Sequence, residues 1–264
     1  MCSQAEADLR QSLGTLSTFE IACPHHYDPR KVVKEYCRGE ETRPFLRSPE
    51  ILRKTTDYLF EHILEGPDFL QRYAFLSDRL RAVEKDYRVT NRAGEGVWDL
   101  ERIARFHLLA AWEGQKYAEF PVELNWKRLK DLLELLEETY TQVCSASQGE
   151  FAVYRLLLCL NSPVSVCMFL KNADIDMRRQ PLFQLALQGV RYYYTNNYTA
   201  LYRLASSSPC LVQVLLTHQL RCLDLQLLLL ASYRGSPPSL PQLDPTVQCL
   251  LGNRLEVVGT RLST

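Results

Sequence analysis

Three sets of residues in this chain carry side chains able to do chemistry. The first is Cys23-Pro24-His25-His26 with Cys37, a thiol-and-imidazole set. Zinc sites use tighter pairs such as C-x2-C or H-x3-H, so the spacing favours a surface loop, and no metal is expected. The second set is His107 and His218, each at helical spacing among apolar residues. No Ser, Cys or Asp motif accompanies either to make it a base, so both read as satisfied, partly buried histidines. The third is the basic run Arg79, Arg81, Lys85, Arg88 and Arg92. Arg81, Lys85, Arg88 and Arg92 recur at three- or four-residue spacing and so share one helix face. Such a stripe can contact phosphate. Pairing with Asp78, Glu84 and Asp86, plus ordinary solvation, is the competing reading and the favoured one. The Walker, dinucleotide and zincin motifs are absent. No catalytic residue, cofactor or small-molecule substrate is expected.

Tyr192-Tyr193-Tyr194 is an aromatic triplet. Successive helix positions point in different directions, so the three cannot form one stacking platform. At least one is expected in the core.

The elements that must position these groups read as helices almost throughout. Residues 1–47 are irregular, broken by Pro24, Pro29 and Pro44. Ser48-Pro49-Glu50 then reads as N-cap, first turn and acidic start, opening a helix that buries Ile51, Leu52, Thr55, Tyr58, Leu59 and Ile63. Gly66-Pro67 stops it. Asp68 caps the next helix, whose stripe is Phe69, Tyr73, Leu76, Leu80, Val83 and Tyr87. A helix over 97–118 follows, with Leu100, Ile103, Ala104, His107, Leu108 and Ala111 near one face. Asn125 is expected to cap a very regular helix. Its apolar side is Trp126, Leu129, Leu132, Leu133, Leu136 and Tyr140, and Lys127, Lys130, Glu134, Glu137 and Glu138 solvate the other. Ser147-Gln148-Gly149-Glu150 fits a capping box. Further helices start near Pro163, Pro181, Asn197 and Pro209. Gly235-Ser236-Pro237-Pro238 is a hinge. About ten helices joined by short breaks predict stacked antiparallel hairpins, an α-solenoid, although no fixed-period repeat is visible.

The chain has 264 residues, 46% of them hydrophobic, with 31 basic and 31 acidic side chains. A zero net charge removes any global pull toward nucleic acid or an anionic membrane. The nine cysteines are scattered, several within apolar runs. An odd count without a pairing pattern, behind an N-terminus with neither a basic nor an apolar leader region, predicts a reducing compartment. Residues 209–231 are leucine-rich, but Gln213, His218, Gln219, Arg221 and Asp224 make them a core helix rather than a membrane span.

Several segments together resemble one family. Val33-Lys34-Glu35-Tyr36-Cys37-Arg38 is similar to V-K-E-Y-S-R of the Sac-three/GANP family. Arg43-Pro44 with Ile51-Leu52-x-x-Thr55-x-x-Tyr58-Leu59 resembles its R-P-x-x-V-L-x-x-T-x-x-Y-L. Phe75-x-x-Asp78-Arg79-Leu80-Arg81-Ala82-Val83-x-x-Asp86 resembles F-x-x-D-R-x-R-x-I-x-x-D. Arg105-Phe106-His107, Glu150-Phe151-x-x-Tyr154-x-Leu156-Leu157 and Asn196-Asn197-Tyr198-x-x-Leu201-Tyr202 follow in family order. Lys34, Glu35, Tyr36, Arg38, Asp78, Glu150, Tyr154 and Asn197 are thus motif positions, and they are expected to be structural.

The resemblance implies an all-α, right-handed helical superhelix of the PCI/TPR-like kind over 48–234, with residues 1–47 packed against it. It implies a winged-helix module beyond, of which 235–264 is only an incomplete start: thirteen residues follow Leu251. It also implies a nuclear scaffold of the TREX-two type, coupling transcription to messenger RNA export at the nuclear pore. The partners it implies are a second PCI-domain subunit and a small acidic peptide of the Sem-one/DSS type, with no membrane. A short centrosome- or spindle-associated form, found also in the cytoplasm, and direct RNA or DNA binding through the basic helix remain the alternatives.

Overall fold

A computed structural model describes residues 1–23, 26–27, 31–37 and 46–233, with 22–23, 26–27 and 224–233 described as backbone. Arg38, Arg43, Pro44 and the 235–264 segment lie outside the described residues. The chain separates into two compact units, Met1–Gln219 and Leu220–Thr264. The described part of the second is the end of one helix.

The N-terminal segment is less irregular than its prolines suggest. It opens with helix α1 (Gln4–Ser12), where the Ser3 hydroxyl accepts from the Glu6 amide at 3.3 Å. A two-stranded antiparallel hairpin follows, β1 (Ile21–Cys23) with β2 (His26–Tyr27). Helix α1 has few apolar residues, and its inward face is carried by Ala7 and the buried Arg10. An apolar-period search therefore passes over it.

Helix α2 (Pro49–Tyr58) has Ser48 as N-cap residue and Pro49 in its first turn, and widens into a π-helical turn over Leu59–Ile63. Gly66 at φ +140° and Asp68 at φ +56° turn the chain, and the Asp68 carboxylate accepts from the Gln71 amide. The expected stop and cap are both present. Of the residues assigned to the buried face of α2, Ile51 is instead 44% exposed, while Leu52, Thr55 and Leu59 are fully covered.

Helices α3 (Phe69–Val89), α4 (Val97–Glu113), α5 (Val122–Tyr140) and α6 (Gln148–Leu158) form the centre. Their inner faces are the predicted stripes. Leu80 and Val83 of α3, Leu100, Ile103 and Leu108 of α4, and Leu129 and Leu132 of α5 have no exposed surface. Burying each such side chain contributes roughly 1.5–3 kcal/mol. Helices α7 (Pro163–Asn172), α8 (Ile175–Arg179), α9 (Pro181–Tyr194), α10 (Tyr198–Ser207) and α11 (Cys210–Tyr233) complete the series. Each helix from α2 to α6 packs on the next, most extensively α4 on α5. Helix α6 then packs on α9, and α9 on α10. Nearest-neighbour packing of this kind is an all-helical domain consistent with an α-solenoid. No helix among the described residues is long and apolar enough to cross a membrane.

Two helix starts differ from the sequence expectation. Helix α5 begins at Val122, not after Asn125, so Asn125 lies in its second turn and is fully buried. At α6, Ser147 makes no side-chain cap bond. Its hydroxyl and the Glu150 carboxylate both accept from Arg105 instead. In each case a tertiary partner outcompetes the local amide that a cap would satisfy.

Candidate interaction surface

The N-terminal segment is held on α3 by buried charge. Glu20 has no exposed surface and accepts from Arg10 at 2.6 Å, from Arg79 at 3.4 Å, and from the Ser17 and Val33 amides at 3.0 Å each. Burial alone would raise the Glu20 carboxyl, but Arg10, Arg79 and the two amides outweigh it and hold it below the ordinary glutamate range. Arg79 also meets Glu35 at 2.9 Å and bonds Asp78. Two turns along α3, Asp86 is fully buried between Lys34 at 3.0 Å and Arg47 at 2.7 Å. Asp78 accepts the Tyr36 amide, and the Arg81 guanidinium lies 3.6 Å from the centroid of the Tyr36 ring. The motif residues Lys34, Glu35, Tyr36 and Asp78 are thus brought together in one seam.

The basic run is divided by the same seam. Arg79 is buried among carboxylates, Arg81 stacks on Tyr36, and Lys85 donates to the Cys37 carbonyl at 2.7 Å. Arg88 is exposed. Arg92 is not on the helix: α3 ends at Val89, and Asn91 at φ +53° turns the chain away. Arg92 forms a bidentate pair with Glu95 at 2.6 and 2.7 Å. The expected four-residue helical face therefore shortens to Arg81, Lys85 and Arg88.

The remaining candidates are structural in their contacts. His107 is 1% exposed, and burial lowers its pKa to about 4, against the opposing bond to Asn125. The imidazole is neutral at pH 7. Glu150 accepts both nitrogens of a bidentate Arg105 contact and the Tyr154 hydroxyl at 2.7 Å. Asn197 caps α10 through the Ala200 amide at 3.1 Å. His218 stacks on Trp126 with centroids 3.9 Å apart. Tyr193 and Tyr194 meet edge to face, and the Tyr194 hydroxyl donates to the Leu160 carbonyl. None of the three tyrosines is buried, which corrects the expectation that one is core: α9 turns Phe183, Ala186 and Gly189 inward instead. Of the metal candidates, Pro24 and His25 and the side chains of Cys23 and His26 lie outside the described residues. Cys37 is exposed. Among the described residues no group of three or more His, Cys, Asp and Glu is placed to hold a metal ion.

A feature the sequence reading missed runs along α4. This helix is packed on nearly every side, leaving one narrow stripe in water: Trp98, Arg102, Arg105, Leu109 and Trp112. Their spacing of four, three, four and three is one helix face. Trp98 is 55%, Leu109 47% and Trp112 40% exposed. The two arginines between them are held by partners on neighbouring elements. Arg102 pairs with Asp57 of α2 and lies 4.8 Å from the Phe60 ring centroid, and Arg105 lies 4.9 Å from that of Phe151 of α6. Held arginines between exposed tryptophans are the composition of protein-interface hot spots. The signal was available in the sequence, because large apolar residues at 98, 109 and 112 lie opposite the predicted inner face.

Comparison with known proteins points to the same family. The chain is 29% identical to SAC3 family protein 1 of Schizosaccharomyces pombe over 177 residues, covering 62% of this chain and 17% of that protein. It is 28% identical to SAC3 family protein B of Arabidopsis thaliana over 244 residues, covering 83% of this chain and 14% of that protein. The chain thus spans less than a fifth of the length of either relative. The sequence model of the SAC3/GANP family matches residues 1–241, and on that match, together with the charged seam that unites its motif residues, the chain belongs to the SAC3/GANP family.

Proposed function

We propose that this chain is a non-enzymatic scaffold domain acting in the nucleus, in an assembly of the TREX-two type that couples transcription to messenger RNA export at the nuclear pore. The observation that carries this reading is the α4 stripe: two exposed tryptophans and a leucine, at helical spacing, around two arginines held by Asp57 and Glu150. Such a surface suits protein contact, where a few buried Trp and Arg side chains carry most of the binding energy. Family membership supports the same role, since the chain's motif residues build a rigid charged seam rather than a reactive centre. The layered helices suit a PCI-like superhelix. The partners proposed are a second PCI-domain subunit and, through it, a small acidic peptide of the Sem-one/DSS type.

The test is a native pull-down with the tagged chain from nuclear extract, beside a Trp98→Ala/Trp112→Ala variant. The proposal expects a PCI-type subunit and an acidic peptide with the parent chain and their loss with the variant. Neither protein in the parent pull-down would sink it. RNA recovered without any protein partner, in a salt-dependent manner, would favour direct nucleic-acid binding instead.

A further inference from the structure

The sequence pairs Glu84 of α3 with the basic run, but the fold gives it no such partner. Glu84 is 8% exposed. Among the described residues its carboxylate takes part in no hydrogen bond and no ion pair. Three guanidiniums stand around it without closing on it. Arg81 lies one turn before it on α3 and Arg88 one turn after. Arg128 of α5 acts on it more strongly than either, and Asp131, one turn further along α5, opposes all three. Burial raises the carboxyl to about 7, outweighing Arg128, Arg88 and Arg81.

The three guanidiniums differ in their freedom to reach Glu84. Arg81 is stacked on the Tyr36 ring. Arg88 is exposed, so drawing it inward strips its water. Arg128 is already half-buried, and among the described residues its side chain makes no ion pair, hydrogen bond or ring contact. It stands one turn along α5 from Asn125, whose carboxamide meets Tyr73 and His107. Its charge acts on both of those groups as well as on Glu84.

An ionised carboxylate buried without a partner is costly, and a protein avoids the cost by keeping the proton or by supplying a counter-charge. Both routes are open at Glu84. We infer that Glu84 and Arg128 form a proton-controlled latch between α3 and α5. With the carboxyl protonated, Arg128 stays unpaired, as in the arrangement described. When the proton leaves to solvent, the Arg128 guanidinium closes on the carboxylate. An ordinary glutamate is ionised throughout the neutral range, whereas this one changes charge within it. The latch uses none of Trp98, Leu109 and Trp112, so it stands whether or not the α4 stripe has the partner proposed above.

Side-chain NMR on the whole chain, labelled at glutamate carboxyls and arginine Nε, tests it. The Glu84 and Arg128 signals are those lost in Glu84→Gln and Arg128→Gln. The Glu84 carboxyl is expected to titrate near neutrality, and the Arg128 signal to shift with the same midpoint. Arg128→Gln is expected to tighten proton binding at Glu84 about tenfold, one pKa unit upward, and Arg88→Gln to do so less. Stability gives a second readout. Glu84 binds its proton more tightly in the folded chain, so its contribution is complete below pH 4.5 and is lost as pH rises through about 7. The unfolding constant of the parent relative to Glu84→Gln should therefore grow about tenfold between about pH 6 and about pH 8.5. The inference is overturned if Glu84 titrates in the ordinary carboxylate range or if the Arg128 signal does not follow it. It is also overturned if Arg88→Gln moves the midpoint as far as Arg128→Gln, or if the relative unfolding constant stays flat.

Discussion

Asn125 and His107 bond each other twice in the core. The Asn125 carboxamide oxygen lies 2.8 Å from His107 Nδ1, and its Nδ2 donates to the His107 carbonyl at 2.9 Å. The Tyr73 hydroxyl donates to the same oxygen at 3.2 Å. One side chain of α5 therefore ties α4 to α3, and the proton of the ring sits on Nδ1.

Removing that tie is expected to be costly. Asn125→Ala leaves the buried His107 ring N–H unpaired and takes one of their partners from the His107 carbonyl and the Tyr73 hydroxyl. An unsatisfied buried group costs about 1–3 kcal/mol, and a loss of that order is expected. Urea unfolding measures it, as a lower midpoint at unchanged slope.

His107 also predicts a pH dependence. Its folded pKa, about 4, is below the ordinary value of 6.5. The unfolded chain then binds more protons between those values, so stability is complete above pH 6.5 and falls as pH drops toward 4. The shift corresponds to about 3 kcal/mol. His107→Gln should flatten the stability profile between pH 4 and 6.5, measured by thermal melts across that range.

The Glu20 seam behaves in the same direction at lower pH. Its carboxyl is held below 4.5, so its stabilisation is present above that value and is lost as pH falls beneath it. At neutral pH, Arg79→Met leaves Glu20 with one guanidinium fewer. Breaking a buried pair costs about 3–5 kcal/mol. Limited proteolysis should then cut within residues 1–37 before any helix of the centre.

Gly96 is pinned by packing. A Cβ there would come within 2.3 Å of the Tyr87 ring, whose hydroxyl donates to Asp99 at 2.6 Å. Tyr87 is fully buried and held at both ends, so it has little room to move. Gly96→Ala is expected to destabilise by about 1–3 kcal/mol. That lowers the melting temperature by about 2–4 °C for each kcal/mol in a domain of this size.

The surface arginines separate by contact. Arg88→Glu is expected to change stability by less than about 0.5 kcal/mol. Arg81→Glu removes the guanidinium from the Tyr36 ring, where such contacts are worth about 0.5–2 kcal/mol. Comparing the two by urea unfolding shows whether the basic run serves the N-terminal seam.

What the sequence by itself determined is the helical content, most helix boundaries, the inner stripes and the family. These depend on short-range information. Apolar residues at three- and four-residue spacing define the faces of α3, α4 and α5, and Asp68, Pro163, Pro181 and Asn197 mark starts through their own backbone chemistry. Tertiary structure decided which partner each polar group takes. Asn125 and Glu150 carry the types of capping residues, yet one bonds His107 and the other Arg105, because a helix brought alongside offers a better partner than the free amide nearby. Arg79 and Arg88 look alike in a basic run, but only folding places Glu20, from far along the chain, against one of them. The α4 stripe and the burial of Glu84 are likewise products of packing. An apolar residue in a helix does not reveal whether a neighbour covers it, and at Trp98 and Trp112 none does so completely.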